Sequence, residues 1–98
     1  MDNELQDAEF WYVYIVECVD LSLYTGIARD PEKRLIQHNA GKGAKYTRSR
    51  LPVRLLYREA CSDKGVALQR EFAIKQLSRL EKLRLIEAAG VNAGLSDQ

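Results

Sequence analysis

A spaced set of side chains suggests chemistry before any fold is considered: Tyr14, the run Tyr24-Thr25-Gly26, Arg34, His38 and Glu71. Hydrolysis of a phosphodiester needs a deprotonated water, neutralised charge on the phosphoryl oxygens and help for the leaving oxygen. A divalent ion can supply the last two. Aromatic hydroxyls, a guanidinium, an imidazole and a single carboxylate are the parts for doing this with one metal ion. None of these residues is rare, so order and spacing carry the information.

Each also has a plainer reading. A tyrosine in an aromatic strand such as that around Tyr14 is commonly a core residue with a satisfied hydroxyl. Its pKa of about 10 makes it a poor base at neutral pH unless a cation lowers it. Tyr24 could be a cross-strand packing partner. Gly26 either permits a close approach near a site or simply ends a strand. Arg34 and His38 are four apart, which places both on one helix face where they could meet one phosphate; His38, the single histidine, could instead complement the helix C-terminus. Glu71 sits four residues before Lys75 and could be an ordinary surface ion pair. One carboxylate completed by water and phosphate oxygens suits Mg²⁺ (or Mn²⁺) and makes no dedicated cage.

The elements that must position these residues follow from the pattern. Trp11–Cys18 is aromatic and β-branched and reads as a strand buried on much of both faces. A turn at Asp20–Ser22 leads to a second strand, Leu23–Ile27, and so to an antiparallel hairpin. Asp30-Pro31 opens a helix reaching about Asn39, with Gly41 as its stop. Residues 41–51 read as a basic loop, followed by a strand over Val53–Glu59. Asp63 caps a helix from about Lys64 to Leu77, with Ala67, Leu68, Phe72 and Leu77 as its apolar positions. Ser78-x-x-Glu81 is a capping box that starts a third helix; Leu80, Leu83, Leu85 and Ile86 form its apolar stripe and Gly90 ends it. The order β-β-α-β-α-α predicts an α+β domain with a three-stranded, mainly antiparallel sheet in one layer pair with its helices. Residues 1–10 are expected to be disordered, 11–90 to form one domain and 91–98 a tail.

The chain of 98 residues is 46% apolar and 30% charged, an ordinary globular balance. No apolar run approaches the roughly 18 residues of a membrane span, and the acidic N-terminus lacks the basic start of a signal peptide. A cytoplasmic location is expected. Cys18 and Cys61 make neither a CxxC pair nor a zinc pattern and read as buried reduced thiols. The net charge of +1 hides an uneven distribution. Residues 1–28 hold six acids and no Lys or Arg, whereas residues 29–58 hold nine bases against two acids. A concentrated basic segment suits an anionic polymer on one face. Within it Lys42, Lys45, Arg48 and Arg50 read as phosphate clamps around Tyr46, an aromatic that could stack on a base. Gly41-x-Gly43 lacks the Walker spacing and follows a helix, so nucleotide hydrolysis is rejected.

Taken together, Tyr14, Tyr24-Thr25-Gly26, Arg34, His38 and Glu71 resemble the GIY-YIG nuclease superfamily over about residues 11–86. Leu23-Tyr24-Thr25-Gly26-Ile27 and Gly41-Lys42-Gly43-Ala44-Lys45-Tyr46 are similar to runs in the small stand-alone UPF0213 group. The first signature departs from the family pattern, reading Tyr12-Val13-Tyr14. A late polar residue found in some branches has no clear match, and Lys75 stands in that region. The resemblance implies a metal-dependent endonuclease acting on DNA, on structured or single-stranded substrates in repair or recombination. Glu71 would take the metal, Arg34 the phosphate, Tyr14 and Tyr24 the water, and His38 a proton or an orienting role. Two other readings stand beside it: a nucleic-acid-binding module that does not cut, and an adaptor carrying a nuclease-derived fold into a repair complex.

Overall fold

The structure, a computed structural model, describes residues 10–97, with side chains described through Gly90. Three strands, β1 (Trp11–Glu17), β2 (Leu23–Ala28) and β3 (Arg54–Cys61), form an antiparallel sheet in the order β2-β1-β3. The helices are α1 (Pro31–Asn39), α2 (Lys45–Arg48), α3 (Lys64–Lys75) and α4 (Arg79–Asp97). The predicted α+β class and element order hold, with the one-turn α2 added inside the predicted basic loop. The third strand lies slightly later than expected, at Arg54–Cys61 rather than Val53–Glu59.

Strand β1 is central, which explains its unbroken apolar run. Val13 and Ile15 point to one face, where Ala67 and Ile74 of α3 and Leu85 and Ile86 of α4 cover them. Tyr14 and Val16 point to the other, with Leu35 of α1, Leu51 and Val53. Helices therefore cover both faces, and the expected single pair of layers becomes three. A strand apolar at odd and even positions must be covered twice. The two cysteines belong to opposite cores, Cys61 with Val13 and Cys18 with Tyr14, and both are free.

The pairing fixes which residues can meet. Tyr14 lies opposite Gly26, and Val16 opposite Tyr24, so both tyrosines face the α1 side of the sheet. Thr25, opposite Ile15, faces the α3 and α4 side. The register with β3 slips between Ile15 and Val16, a β-bulge.

Local signals set the helix ends. The Asp30 carboxylate accepts from the Lys33 amide at 3.1 Å, with Pro31 in the first turn. At the far end Gly41 adopts φ +78°, and the Gly41 and Lys42 amides return to the His38 and Gln37 carbonyls in a Schellman motif. Asp63 caps α3 through the Val66 amide. Ser78 and Glu81 form the reciprocal capping box at the start of α4, with contacts of 2.8 and 3.1 Å.

Other expectations change. On α3 the buried positions are Ala67 and Ile74, while Leu68 and Phe72 are exposed, as is Leu80 on α4. The spacing Ala67, Glu71, Ile74 puts Glu71 on the inward face. Gly90 does not end α4, whose backbone continues to Asp97. A helical glycine costs about 1 kcal/mol relative to alanine without forbidding the helix, and no proline follows. Residues 1–9 of the predicted disordered segment lie outside the described residues.

Two side-chain braces hold the helices on the sheet. Asn39 straps the end of α1 to the chain leading into β3, accepting from the Val53 amide at 2.7 Å and donating to its carbonyl at 3.0 Å. Arg70 of α3 donates from Nε to both Glu59 carboxylate oxygens at 3.0 Å, and Glu59 also accepts from Tyr57 at 2.6 Å. Replacing Asn39 with Ala is expected to lower unfolding free energy by about 1–2 kcal/mol. A urea titration checks this; an unchanged midpoint would mean the strap contributes nothing.

Candidate active site

The centre of the site is a buried histidine. His38 is fully buried, and its ring lies between Tyr14 on the central strand and Thr47 of α2. Tyr14 Oη is 2.8 Å from His38 Nε2, and His38 Nδ1 is 2.9 Å from Thr47 Oγ1. Thr47 donates its one hydroxyl proton to the Ala44 carbonyl at 2.9 Å. Its oxygen can then only accept from His38, so Nδ1 carries the ring proton and Nε2 accepts from Tyr14. The Ala44 amide, 3.4 Å from Nδ1, is too distant to impose the opposite tautomer.

Both expected partners of His38 change with this placement. Its ring is fully buried and both nitrogens are taken by Tyr14 and Thr47, which leaves none for the phosphate that Arg34 and His38 were expected to share. A four-residue spacing puts two side chains on one stripe of a helix but does not say which is under the next layer. Burial lowers the His38 pKa below its ordinary value of 6.5, with the Arg34 charge adding to the effect. Tyr14 is pushed up to about 12, first by burial; Arg34 opposes the shift, while the Tyr24 and Glu71 charges add to it. Arg34 is thus not a cation that lowers Tyr14 towards neutrality: loss of water around the phenol outweighs the nearby guanidinium.

Two glycines make room for this chain of hydrogen bonds. A Cβ on Gly26 would stand 2.7 Å from the Tyr14 hydroxyl oxygen and 3.1 Å from the Tyr24 ring. Gly26 is thus a space for the phenol rather than a bend. A Cβ on Gly43 would overlap the His38 ring and lie 2.8 Å from its Cα. The glycines of the basic loop serve packing and a helix stop, not a phosphate cradle.

Tyr24 joins the cluster from β2, with its ring 6.5 Å from Tyr14 and 5.7 Å from His38. Tyr46 stacks on Tyr24 at 6.0 Å and 19°, and the Arg50 guanidinium lies over the Tyr46 ring at 3.9 Å. Arg50 also bonds Asp20 at 3.1 Å and the Tyr46 carbonyl at 2.7 Å. Arg50 is therefore held by Asp20 and lies over the Tyr46 ring, while Tyr46 itself stays exposed at 39%. Lys42, Lys45 and Arg48 are exposed and make no ion pair among the described residues.

Arg34 is half-buried beside Tyr14 and lines a groove of about 340 Å³ with Arg29, Lys33 and Gln37. Its Nη1 donates to Gln37 at 3.1 Å. Glu71 approaches from α3, its side chain 19% exposed and paired with Lys75 Nζ at 3.2 Å. The described residues contain no cluster of three His, Cys, Asp or Glu that would cage a metal. A hard cation completed by water and phosphate oxygens asks for one or two carboxylates, so Glu71 fits such an ion. One polar atom lacks a partner among the described residues: the buried Thr25 hydroxyl, an arrangement that costs about 1–3 kcal/mol.

Sequence reasoning missed Thr47 and Gly43 as parts of this neighbourhood, whereas the Glu71–Lys75 ion pair it offered as the plainer reading is present. Thr47 and Gly43 carry no spacing signal, because they reach His38 only through the loop's path.

Comparison with known proteins agrees with this fold. The profile described as the GIY-YIG catalytic domain matches residues 10–84, and the chain belongs to that family. Within it the relatives are UPF0213 proteins. One from Staphylococcus saprophyticus is 59% identical over 75 residues, covering 76% of this chain and 92% of its own. One from Desulfotalea psychrophila is 52% identical over 84 residues, covering 85% and 76%. The solution structure of a UPF0213 protein from Bacillus halodurans superposes with a TM-score of 0.53 at 46% identity, covering 81% of this chain and 84% of that one. An E. faecalis protein gives a TM-score of 0.57 at 36% identity, covering 84% and 88%.

Gly43→Ala is expected to displace His38, lowering the melting temperature by several degrees and any catalytic rate by at least about tenfold. Unchanged melting and a crystal structure with His38 in place would refute the packing role. The pH dependence also has a definite sign. Because the folded pKa of His38 lies below its unfolded value, the unfolded state binds more protons as pH falls through about 6.5. Stability is thus fully present above that pH and declines below it. Thermal melts from pH 8 to 5 on wild type and His38→Gln test this: the variant is expected to lose that part of the acid slope.

Proposed function

We propose that the protein is a metal-dependent endonuclease that hydrolyses phosphodiester bonds in DNA, on structured or single-stranded substrates, in cytoplasmic repair or recombination. The observation that carries the reading is the Tyr14–His38–Thr47 relay set beside Arg34 and Glu71. A lone structural tyrosine does not require a buried neutral imidazole of defined tautomer behind it.

The geometry supports the following residue roles. Tyr14, protonated at neutral pH, is not a standing phenolate. It accepts a proton from the attacking water as its own passes to His38 Nε2, so no free phenolate accumulates. His38 is unprotonated at Nε2 because burial disfavours its charged form, so the imidazolium formed in the relay is transient. Thr47 holds the ring by accepting from Nδ1. Tyr24 helps orient the water, and Arg34 neutralises charge on the phosphoryl oxygens. Glu71 would hold Mg²⁺ or Mn²⁺, which supplies Lewis-acid stabilisation of the phosphoryl and leaving oxygens when bound. Lys42, Lys45 and Arg48 add sequence-independent phosphate contacts. Among the described residues no helix is long and apolar enough to cross a membrane.

A second reading is favoured by one observation. Lys75 already neutralises Glu71, as would suit a module that binds nucleic acid without cutting. One experiment separates the two: wild type and Glu71→Gln are incubated with duplex, single-stranded, flap and four-way-junction DNA, and with RNA, with and without Mg²⁺ or Mn²⁺. The nuclease reading expects metal-dependent cutting that falls by at least about a thousandfold in the variant while binding is retained. Equal cutting by both proteins would remove the metal role of Glu71. Binding without cutting on every substrate would establish the module.

A further inference from the structure

An open cleft of about 230 Å³ lies against the edge strand β2, lined by Leu23, Tyr24, Thr25, Tyr46, Lys75 and Lys82. None of the roles above uses Thr25 or Lys82. We propose that this cleft binds a backbone phosphate of the nucleic-acid strand next to the one being cut, with Lys82 and Lys75 as its cations; the proposal rests on the nuclease reading and extends its site.

Two observations converge on that ligand class. The cleft wall carries Lys82, which makes no ion pair among the described residues, and Lys75, whose ammonium is shared with Glu71, so the wall is net positive and suits an anion. Tyr24 belongs both to this wall and to the aromatic cluster around Tyr14 and His38, so an anion here adjoins the reacting phosphate rather than a remote surface.

Lys75 can serve both sites. An ammonium has three donors, and the contact with Glu71 at 3.2 Å uses one. The others remain for an oxygen in the cleft, so Lys75 links the carboxylate at the cation position to the neighbouring phosphate. Lys82, one helix later, makes no ion pair among the described residues. Lysine suits this work because a compact charge on a flexible stem needs no fixed geometry from a phosphate. The tyrosine rings and Leu23 give the attached sugar an apolar wall.

Equilibrium binding of a single-stranded oligodeoxynucleotide in EDTA, across a salt series, tests the cleft separately from catalysis. Lys82→Ala is expected to weaken binding about threefold to tenfold and to reduce the salt slope by roughly 0.7, the loss of one phosphate contact on a single strand. Lys82→Glu, which reverses the charge at the same place, is expected to weaken binding more than Lys82→Ala does, with the melting temperature unchanged in both variants. A wild type that binds, with both variants matching it in affinity and slope, would overturn the cleft and leave the nuclease reading standing. A wild type that binds neither DNA nor RNA at low salt would overturn both.

Discussion

The structure depends on one buried contact chain: the Tyr14 hydroxyl on His38, and His38 on Thr47. It joins the central strand, the last turn of α1 and the one-turn helix α2. A buried imidazole without partners would be expensive, and here both ring nitrogens are satisfied. The price of that satisfaction is geometric. Gly26 must leave space over the phenol, Gly43 must lie flat against the imidazole, and α1 must end where Gly41 turns the chain back.

Around this core the site is built from two faces of a three-stranded sheet. Tyr14, Tyr24 and Gly26 share the α1 face because of the antiparallel register. Glu71 comes from a helix on the other face, held by the Arg70–Glu59 brace, and reaches the Tyr14 environment as a charge that helps keep the phenol protonated. The edge position of β2 lets residues of both faces share one cleft. A central strand could not do this, since a neighbour would close the passage between layers.

The basic segment divides into two kinds of residue. Arg50, Arg54 and Arg58 pair with Asp20, Glu17 and Glu32, binding the hairpin turn, β1 and α1 together. These pairs are partly or well exposed, and each contributes modestly. Lys42, Lys45 and Arg48 stay at the surface, so the electrostatic footprint is narrower than the count of bases suggests. The Arg50–Tyr46–Tyr24 stack turns part of the segment inward and steadies a site tyrosine.

Much was legible in the residue order. The hairpin, both aspartate caps, the Schellman stop at Gly41 and the capping box at Ser78 are local, and short-range sterics and hydrogen bonds decide them. The spacing of Tyr14, Tyr24, Arg34, His38 and Glu71 marked residues that the fold brings near one another, and the family profile spans all five. What the sequence could not settle was which polar group ends up under another layer. Burial of His38, the rise of the Tyr14 pKa, the engagement of Tyr46 and Arg50, the inward turn of Glu71 and the unmet Thr25 hydroxyl arise from contacts between segments far apart in the chain. Helix periodicity fixes which residues share a face. Only the packing of that face against a particular strand or loop fixes its solvent, its partners and hence its chemistry.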